Sequence, residues 1–437
     1  MNPTVLQVTS VPAAAPFRWT VPTAARLAVL ALAAHIYVLA EMTPIGATPA
    51  IAADLEVSEA QVGMLTAAYA LVTVLTTLPL IRWTRHWPRR RVLVVALGFL
   101  TVSQLLSVLA PDFASLAASR VLCALTHGLM WAVVVPIGAR LVPPTHTGRA
   151  TTAVYAGTTV ALIVGNPLTS AMSEAWGWRQ AVAVLTFAAA ATTLLAQCIL
   201  PRMAADPGAP GTTAPPRRAR LRVHRNRQLV TVCALTFVGV TAHFVSFTFI
   251  VPLIREVTGV DGPQVSWVYA GYGVVGLIAL VTLAPALDRR VRPLATCAAA
   301  ILCLAFWWLT GLAASGAVSV AVGVTAVMVW GASAALLPPL LQTAAIRTYP
   351  GRPEWASALY VTTFQIGIVA GSIGGGLVYA HNGIAAVAAA SSVLFALALV
   401  GVLFRGEAFE SGPRAGNGIS RCSLQEKTSA CPAKLLP

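Results

Sequence analysis

Residues 26–47 read Arg-Leu-Ala-Val-Leu-Ala-Leu-Ala-Ala-His-Ile-Tyr-Val-Leu-Ala-Glu-Met-Thr-Pro-Ile-Gly-Ala. Apart from Arg26 at its start, Glu41 is the one formally charged side chain in this stretch. A helix that crosses the hydrocarbon core of a bilayer needs about 20 apolar residues, and this stretch is long enough. A carboxylate inside such a helix costs about 2.5–3.5 kcal/mol on insertion scales, so it usually faces a polar cavity or a cation. Glu41 is therefore the first candidate for the working centre of the protein.

The rest of the chain repeats this apolar pattern. It is 57% hydrophobic and 10% charged, with a mean hydropathy of +0.77, whereas soluble domains carry about 25% charged residues. We predict an all-α integral membrane protein with twelve transmembrane helices, and Glu41 is the only acid well inside any run. The twelve runs lie at roughly 25–49, 58–82, 91–110, 114–138, 149–173, 180–200, 229–253, 264–286, 294–314, 318–342, 354–379 and 383–404.

The positive charges are concentrated in alternate loops. The loops after the second, fourth, sixth, eighth and tenth runs are basic, and the others are acidic, mixed or uncharged. By the positive-inside rule, we expect both termini to be cytoplasmic. We also expect the membrane to be the inner (plasma) membrane of a bacterium. The net charge of +15 therefore reflects topology, and we expect contact with anionic lipid headgroups rather than with nucleic acid. The first of these loops contributes Arg85, Arg89, Arg90 and Arg91.

The two halves of the chain resemble each other. Residues 55–63 align with 259–267, and residues 153–165 align with 359–371. Such a duplication predicts two pseudo-symmetric six-helix bundles, and a cleft between them could open to either side in turn. The predicted organisation is a flexible leader at 1–22, a first bundle at 23–200, a basic linker at 201–228, a second bundle at 229–404 and a disordered tail at 405–437.

Several other functions lack a sequence signal. The seven cysteines show no Cys-x-x-Cys or Cys/His ligand spacing, so we expect neither a metal nor a disulfide framework. No nucleophile–His–acid set and no phosphate-binding loop stands out, so we expect no enzyme, no catalytic residue and no cofactor. We expect a monomer.

Three motifs resemble those of the major facilitator superfamily. Residues 119–136 resemble its fourth-helix motif, and Gly165-Asn-Pro167 followed by Gly177-Trp-Arg179 resembles the fifth-helix motif of its drug:proton antiporters. Residues 41–46 and the nearby Asp54-Leu55 pair resemble its sugar-efflux and chloramphenicol-efflux branch. The resemblance implies the 6+6 major facilitator fold and the export of a small molecule in exchange for protons.

One loop departs from the family pattern. The superfamily's loop between helices two and three usually reads Gly-x-x-x-Asp-Arg-x-Gly-Arg-Arg. Residues 80–91 keep the basic end, Arg89-Arg-Arg91, but they lack the glycine and the aspartate. In the family that aspartate helps to latch the two bundles together, so the resemblance leaves the latch of this chain open.

Glu41 has a candidate partner in the fourth run. Glu41 lies about 15 Å below the outer end of the first run, and Arg120 lies about 9 Å below the outer end of the fourth. The two could pair directly or through water, and in the resembling antiporters such an arginine tunes the protonation of acids near helix one. We predict that Glu41 and Arg120 couple transport to protons. A static ion pair between two helices is the alternative.

Other polar and aromatic residues could line the cleft. His127 follows Arg120 by seven residues on roughly the same helix face, and His243 lies in the second-half counterpart of the first run. Both are candidates for the cavity or for a proton relay, the alternative being structural histidines. Further cavity candidates, which could instead pack or face lipid, are Gln104, Tyr69, Trp131, Asn166 and Gln365.

The fifth-helix motif suggests a seal. Gly157 and Gly165 would allow close helix contact, and Pro167 would kink the helix. A tight, kinked helix at the bundle interface could prevent proton leak. An ordinary glycine contact is the alternative.

The sequence therefore predicts a secondary transporter that exports a drug-like or sugar-like molecule in exchange for protons by alternating access. The alternative is a sugar exporter or a facilitator without proton coupling. A membrane receptor or enzyme is a remote alternative.

Overall fold

The computed structural model describes residues 19–205, 226–316, 319–349, 351–405 and 409. Every regular element in these ranges is helical. Most of the predicted leader, residues 206–225 of the predicted linker and most of the predicted tail lie outside the described residues. The organisation predicted for those segments stays a prediction.

The described chain contains fifteen α-helices, one π-helical segment, Ala161–Gly165, and two short 3-10 helices, Thr84–His86 and Pro144–His146. The α-helices are α1 Val21–Gly46, α2 Thr48–Asp54, α3 Glu59–Trp83, α4 Arg89–Val108, α5 Phe113–Arg140, α6 Thr147–Val160, α7 Asn166–Trp176, α8 Trp178–Ile199, α9 Arg227–Phe247, α10 Ile250–Thr258, α11 Pro263–Arg289, α12 Val291–Ser315, α13 Val320–Ala334, α14 Leu337–Thr348 and α15 Pro353–Phe404.

The helix count agrees with twelve crossings once two irregularities are considered. Ten helices in the described part of the chain are long and apolar enough to cross a membrane. The fifth predicted run is absent from this set because the π-helical segment divides it into α6 and α7. The helix α15 counts once although it joins two helices at Gly383, where φ is 75° and the backbone is not helical. Twelve apolar runs therefore become twelve crossings.

Polar side chains at the loops fix where helices begin. Ser58 and Gln61 form a reciprocal capping box at the start of α3, which satisfies two backbone amides that the first turn leaves free. Asp112 caps α5 and accepts a hydrogen bond from the Ser115 amide at 2.8 Å. Hydrogen bonds from the Ser115 hydroxyl and amide lower the pKa of the Asp112 carboxyl below its usual range.

Glycines allow helices to approach closely within each bundle. In the first bundle, a Cβ added to Gly157 of α6 would lie 2.0 Å from the Ala31 carbonyl oxygen of α1. In the second bundle, Gly371 and Gly375 of α15 lie against α9, where a Cβ on Gly375 would lie 2.4 Å from the Val245 carbonyl oxygen. Close backbone packing through small residues is a main source of helix association where lipid offers no hydrophobic driving force.

The two bundles, α1–α8 and α9–α15, meet along two seams. Along one seam α15 contacts α3 and α5, and along the other α11 contacts α6. The helices α1 and α9 belong to opposite bundles. We call the end of the molecule that carries Arg89, Arg140 and Arg352 the basic end, and the other end the opposite end.

We predict that Gly157→Ala destabilises the protein by about 1–3 kcal/mol, the usual cost of adding bulk to a packed contact. The new methyl would push α6 away from the Ala31 carbonyl of α1. Thermal unfolding in detergent measures the change. Gly98→Ala is the matched control because nothing lies within 4 Å of a Cβ built there. Equal unfolding temperatures for the two variants would contradict the packing assignment.

Candidate functional site

Glu41 lies within α1, in the half of the helix nearer the opposite end. Its side chain retains 16% of its solvent exposure. Among the described residues, the one basic nitrogen within 4.0 Å of its carboxylate is His127 Nε2, at 3.9 Å. The carboxylate is therefore accessible and has no tight ion pair.

Arg120 lies next to Glu41 but is bound elsewhere. It is 3% exposed, and its Nη2 atom donates a hydrogen bond to the Ala40 carbonyl at 2.5 Å. That carbonyl lacks its normal helical donor because Pro44, four residues later in α1, has no amide hydrogen. Of the two arrangements expected for Arg120 and Glu41, the direct ion pair is not seen in the described residues: the guanidinium satisfies the backbone carbonyl just before Glu41, within range of its charge. Pro44 was the sequence signal for this contact. The coupling of the two residues to protons stays a prediction.

His127 connects Glu41 to a tyrosine. The side chain is 3% exposed, and its Nδ1 atom lies 2.8 Å from the Tyr69 hydroxyl. The Tyr37 ring packs edge-on against the imidazole, and the Tyr37 hydroxyl donates to the Ala96 carbonyl at 2.7 Å. If Nδ1 accepts the tyrosine proton, Nε2 carries the ring hydrogen and faces Glu41. The structure thus brings together Glu41, Arg120, His127 and Tyr69.

His243 occupies a different environment in the second bundle. Trp330 Nε1 donates a hydrogen bond to its Nδ1 atom at 3.2 Å. Because an indole nitrogen can only donate, Nδ1 is the acceptor and the ring hydrogen is on Nε2. Phe244 and Phe247 pack against the imidazole at 5.2 and 4.9 Å between ring centroids. His243 therefore belongs to an aromatic cluster rather than to the Glu41 group.

The remaining cavity candidates separate into distinct surroundings. Gln104 is fully buried, and neither of its amide atoms has a hydrogen-bond partner among the described residues. Gln365 is 4% exposed. Trp131 stacks on Tyr155 at 5.4 Å. The side chain of Asn166 lies outside the described part of the structure.

The fifth-helix motif packs against α1 close to Glu41. A Cβ on Gly165 would lie 2.1 Å from Cδ2 of Leu39, two residues before Glu41. The π-helical segment ends at Gly165, two residues before Pro167, which cannot donate a backbone hydrogen bond to the preceding turn. His35 Nδ1 lies 3.0 Å from the Gly157 carbonyl oxygen. These contacts place Gly157, Gly165 and the irregular segment between α1 and the second bundle.

A buried charge cluster connects the bundles at the basic end. Glu354, at the start of α15, is 1% exposed and forms ion pairs with Arg89 and Arg140 of the first bundle. Arg89 Nε lies 3.2 Å from the carboxylate and the Arg89 side chain is also 1% exposed, so it does not face the surface. Arg90 donates to the carbonyls of Gln197 and Leu200. Glu354 was not among the residues singled out from the sequence, although it is the first residue of the eleventh predicted run and directly follows the basic loop after the tenth run.

Further contacts close the same end. Arg149 of α6 pairs with Asp288 of α11, with Nε 3.0 Å from the carboxylate. The Tyr155 hydroxyl donates to Gln342 at 2.6 Å. The Trp131 carbonyl accepts hydrogen bonds from Gln342 and Ser357 of the second bundle. All of these contacts lie in the half of the molecule nearer the basic end, so the seam between the bundles is closed there.

The profile of the Major Facilitator Superfamily matches residues 30–353 and 244–430. This chain belongs to that superfamily. The predicted all-α fold with twelve transmembrane helices in two bundles is confirmed, and so is the resemblance to the drug-efflux and sugar-efflux branch. Its relatives are multi-pass transporters of bacteria. The chain is therefore a plasma-membrane transporter with a small-molecule substrate.

Individual relatives agree with this membership. The chain is 51% identical over 396 residues to a chloramphenicol efflux pump of Mycobacterium tuberculosis, covering 90% of this chain and 95% of that protein. It is 26% identical over 378 residues to a probable sugar efflux transporter of Mannheimia succiniciproducens, covering 86% and 92%. The structure of a variant of the E. coli fucose:proton symporter matches with a TM-score of 0.69 at 15% identity, covering 88% and 98%. This last likeness shows the fold.

We predict that Arg120→Gln destabilises the transporter by about 1.5–3 kcal/mol, the usual contribution of a hydrogen bond from a charged group. In a Pro44→Ala background the loss should be smaller, because the new amide can donate to the Ala40 carbonyl. Thermal unfolding of the single and double variants measures this coupling. Pro79→Ala, an exposed proline inside α3, is the matched background. Equal losses in the two proline backgrounds would show that Arg120 does not replace the missing amide.

We predict that Glu354→Gln loosens the basic end, because it removes the negative charge that Arg89 and Arg140 share, and breaking a buried ion pair costs about 3–5 kcal/mol. A cysteine introduced at the fully buried Ser357 should then react faster with a maleimide in purified protein, measured against protein without that cysteine. Asp261→Asn, which breaks an exposed pair with Arg255, should leave the labelling rate unchanged. An unchanged labelling rate in Glu354→Gln would show that Glu354 does not hold the basic end closed.

Proposed function

We propose that this transporter exports a small molecule of the chloramphenicol class across the plasma membrane in exchange for protons, by alternating access. The observation that carries the proposal is the state of Glu41. It is the one acid well inside a membrane-crossing run, its side chain keeps 16% of its exposure, and both Arg120 and His127 lie beside it without forming a tight ion pair. Such a carboxylate can bind and release a proton without breaking a strong contact.

Arg120 supplies a fixed positive charge to this site. Its hydrogen bond to the Ala40 carbonyl holds the guanidinium in place whether Glu41 is protonated or ionised. A nearby cation favours the ionised carboxylate and burial opposes it. In the proposed cycle, a substrate entering from the cytoplasm displaces the proton of Glu41, and a proton from outside returns when the substrate leaves.

His127 and Tyr69 offer a path for that proton. The His127 Nε2 atom is 3.9 Å from Glu41, a separation that one water molecule or a small movement could bridge. The Tyr69 hydroxyl at 2.8 Å from Nδ1 holds the imidazole in orientation. In this proposal His127 is a relay beside Glu41, and Tyr69 is a positioning residue.

The orientation follows the positive-inside rule. The basic end is cytoplasmic in this proposal, so both termini are cytoplasmic. The contacts of Glu354 and Asp288 then form the cytoplasmic gate, and the cleft in this structure faces outward. Release of these ion pairs would let the bundles rock about the two seams and expose Glu41 to the cytoplasm.

A sugar exporter or a facilitator without proton coupling is the second candidate. The 26% identity with a probable sugar efflux transporter favours it, but the 51% identity with a chloramphenicol efflux pump favours the drug-like substrate. The two candidates differ in whether substrate movement releases protons.

We predict that Glu41→Gln abolishes proton-driven chloramphenicol transport in everted vesicles, since the amide has the size of the acid and cannot ionise. Uptake of labelled drug together with a pH-sensitive dye measures both fluxes. The exposed Glu59 provides the matched control, Glu59→Gln, which should keep wild-type rates. Full coupled transport by Glu41→Gln would remove Glu41 from the mechanism, and drug transport by the wild type without proton movement would favour the uncoupled candidate.

A further inference from the structure

Five aromatic side chains of the second bundle form one cluster, which we call the aromatic box. Within it the imidazole of His243 stacks on Phe247 at 4.9 Å between centroids, with 25° between the planes. Tyr269 and Tyr272 are nearly parallel at 6.3 Å and 15°, and Tyr272 meets Trp330 edge-on at 5.2 Å. The members come from three helices, α9, α11 and α13, and they are His243, Phe247, Tyr269, Tyr272 and Trp330.

The box is open on one side. Trp330 is fully buried and forms the floor, where it also packs against Phe306 at 4.9 Å. The other four side chains are only half-buried. A cluster that served packing alone would be covered on all sides, as Trp330 is.

Three polar atoms of the box have no partner among the described residues. His243 Nδ1 is occupied by the Trp330 indole, so the Nε2 hydrogen is free. Neither the Tyr269 hydroxyl nor the Tyr272 hydroxyl makes a hydrogen bond within the described chain, and none of the three atoms is sealed from solvent. Apolar walls with a few directed polar groups are the usual composition of a small-molecule site.

The box lies across the bundle seam from Glu41. Gly165, in the fifth-helix motif, contacts Leu39 close to Glu41, and Ile163 of the same segment contacts Gly273, the neighbour of Tyr272. Both the box and Glu41 lie in the half of the molecule nearer the opposite end, where the bundles are not joined by the contacts of the basic end. The irregular segment of the fifth helix therefore lies between the acid and the box.

We propose that the aromatic box binds the flat, uncharged aryl group of the exported molecule. This inference rests on the proposed function and gives its substrate an anchor. Ring faces and edges would contact the aryl group, while the His243 Nε2 hydrogen and the two tyrosine hydroxyls donate to its nitro or carbonyl oxygens. No carboxylate lies among the members of the box, so a cation gains no ion pair there. Glu41 is left free to exchange its proton.

Binding of labelled chloramphenicol to the purified full-length protein, measured by scintillation proximity, tests the box without requiring transport. Phe247→Ala should weaken binding about tenfold or more, as expected for the loss of an aromatic wall. Phe247→Leu removes the ring but keeps a large apolar side chain, so it is less prone to a folding defect. It should also weaken binding. Phe249→Ala is the matched control, because Phe249 lies two residues away and stacks on Tyr379 outside the box.

The outcomes separate the box from the proposed function. Wild-type binding that persists unchanged in Phe247→Ala and Phe247→Leu would overturn the box and leave the exporter proposal standing. Equal weakening by Phe249→Ala would also overturn it. If tetraphenylphosphonium binds more tightly than chloramphenicol, and if that binding depends on Phe247, the box is a cation site instead. If the wild type binds no chloramphenicol, the proposed substrate class fails, and the box fails with it.

Discussion

The carbonyl of Ala40 has no amide to accept from in its own helix, because Pro44 occupies the donor position. In a lipid environment an unsatisfied backbone group costs several kcal/mol, so a donor must come from elsewhere. Arg120 supplies it across the gap between α1 and α5. One proline thus determines where a buried cation lies, and that cation lies beside the one acid of the membrane interior. The relation of Arg120, His127 and Glu41 depends on this backbone defect.

The same constraint acts at the fifth helix. Pro167 interrupts the hydrogen-bond ladder, a π-helical segment precedes it, and glycines let the distorted segment lie close to α1. Non-helical backbone at membrane depth is tolerated where protein covers it, and here α1 and α11 cover both sides. In the fifth helix, the irregular backbone therefore lies where the two bundles meet.

Hydropathy and charge alone predicted the helical class, the twelve crossings and the prominence of Glu41, because these depend on composition along one helix at a time. The contacts between helices were less accessible. Arg120 and Glu41 have similar depths in the membrane, yet their side chains do not pair, since depth does not fix the rotation of each helix. Glu354 could not be identified from the sequence, because its role depends on contacts with Arg89 and Arg140, which are more than 200 residues away in the chain. The aromatic box likewise combines residues from three helices. Of its five members, the sequence analysis named only His243 as a candidate for the cavity.

Glu354 has one negative charge and two positive neighbours. Counted by themselves, these three side chains carry one more positive than negative charge, and Glu354 and Arg89 are almost fully buried. Such a cluster holds less strongly than two separate ion pairs would, because the two arginines repel each other across the carboxylate they share. A protein that must visit two conformations needs their free energies to lie within a few kcal/mol of each other. A single acid divided between two cations holds the bundles together while keeping the closed state shallow enough to leave.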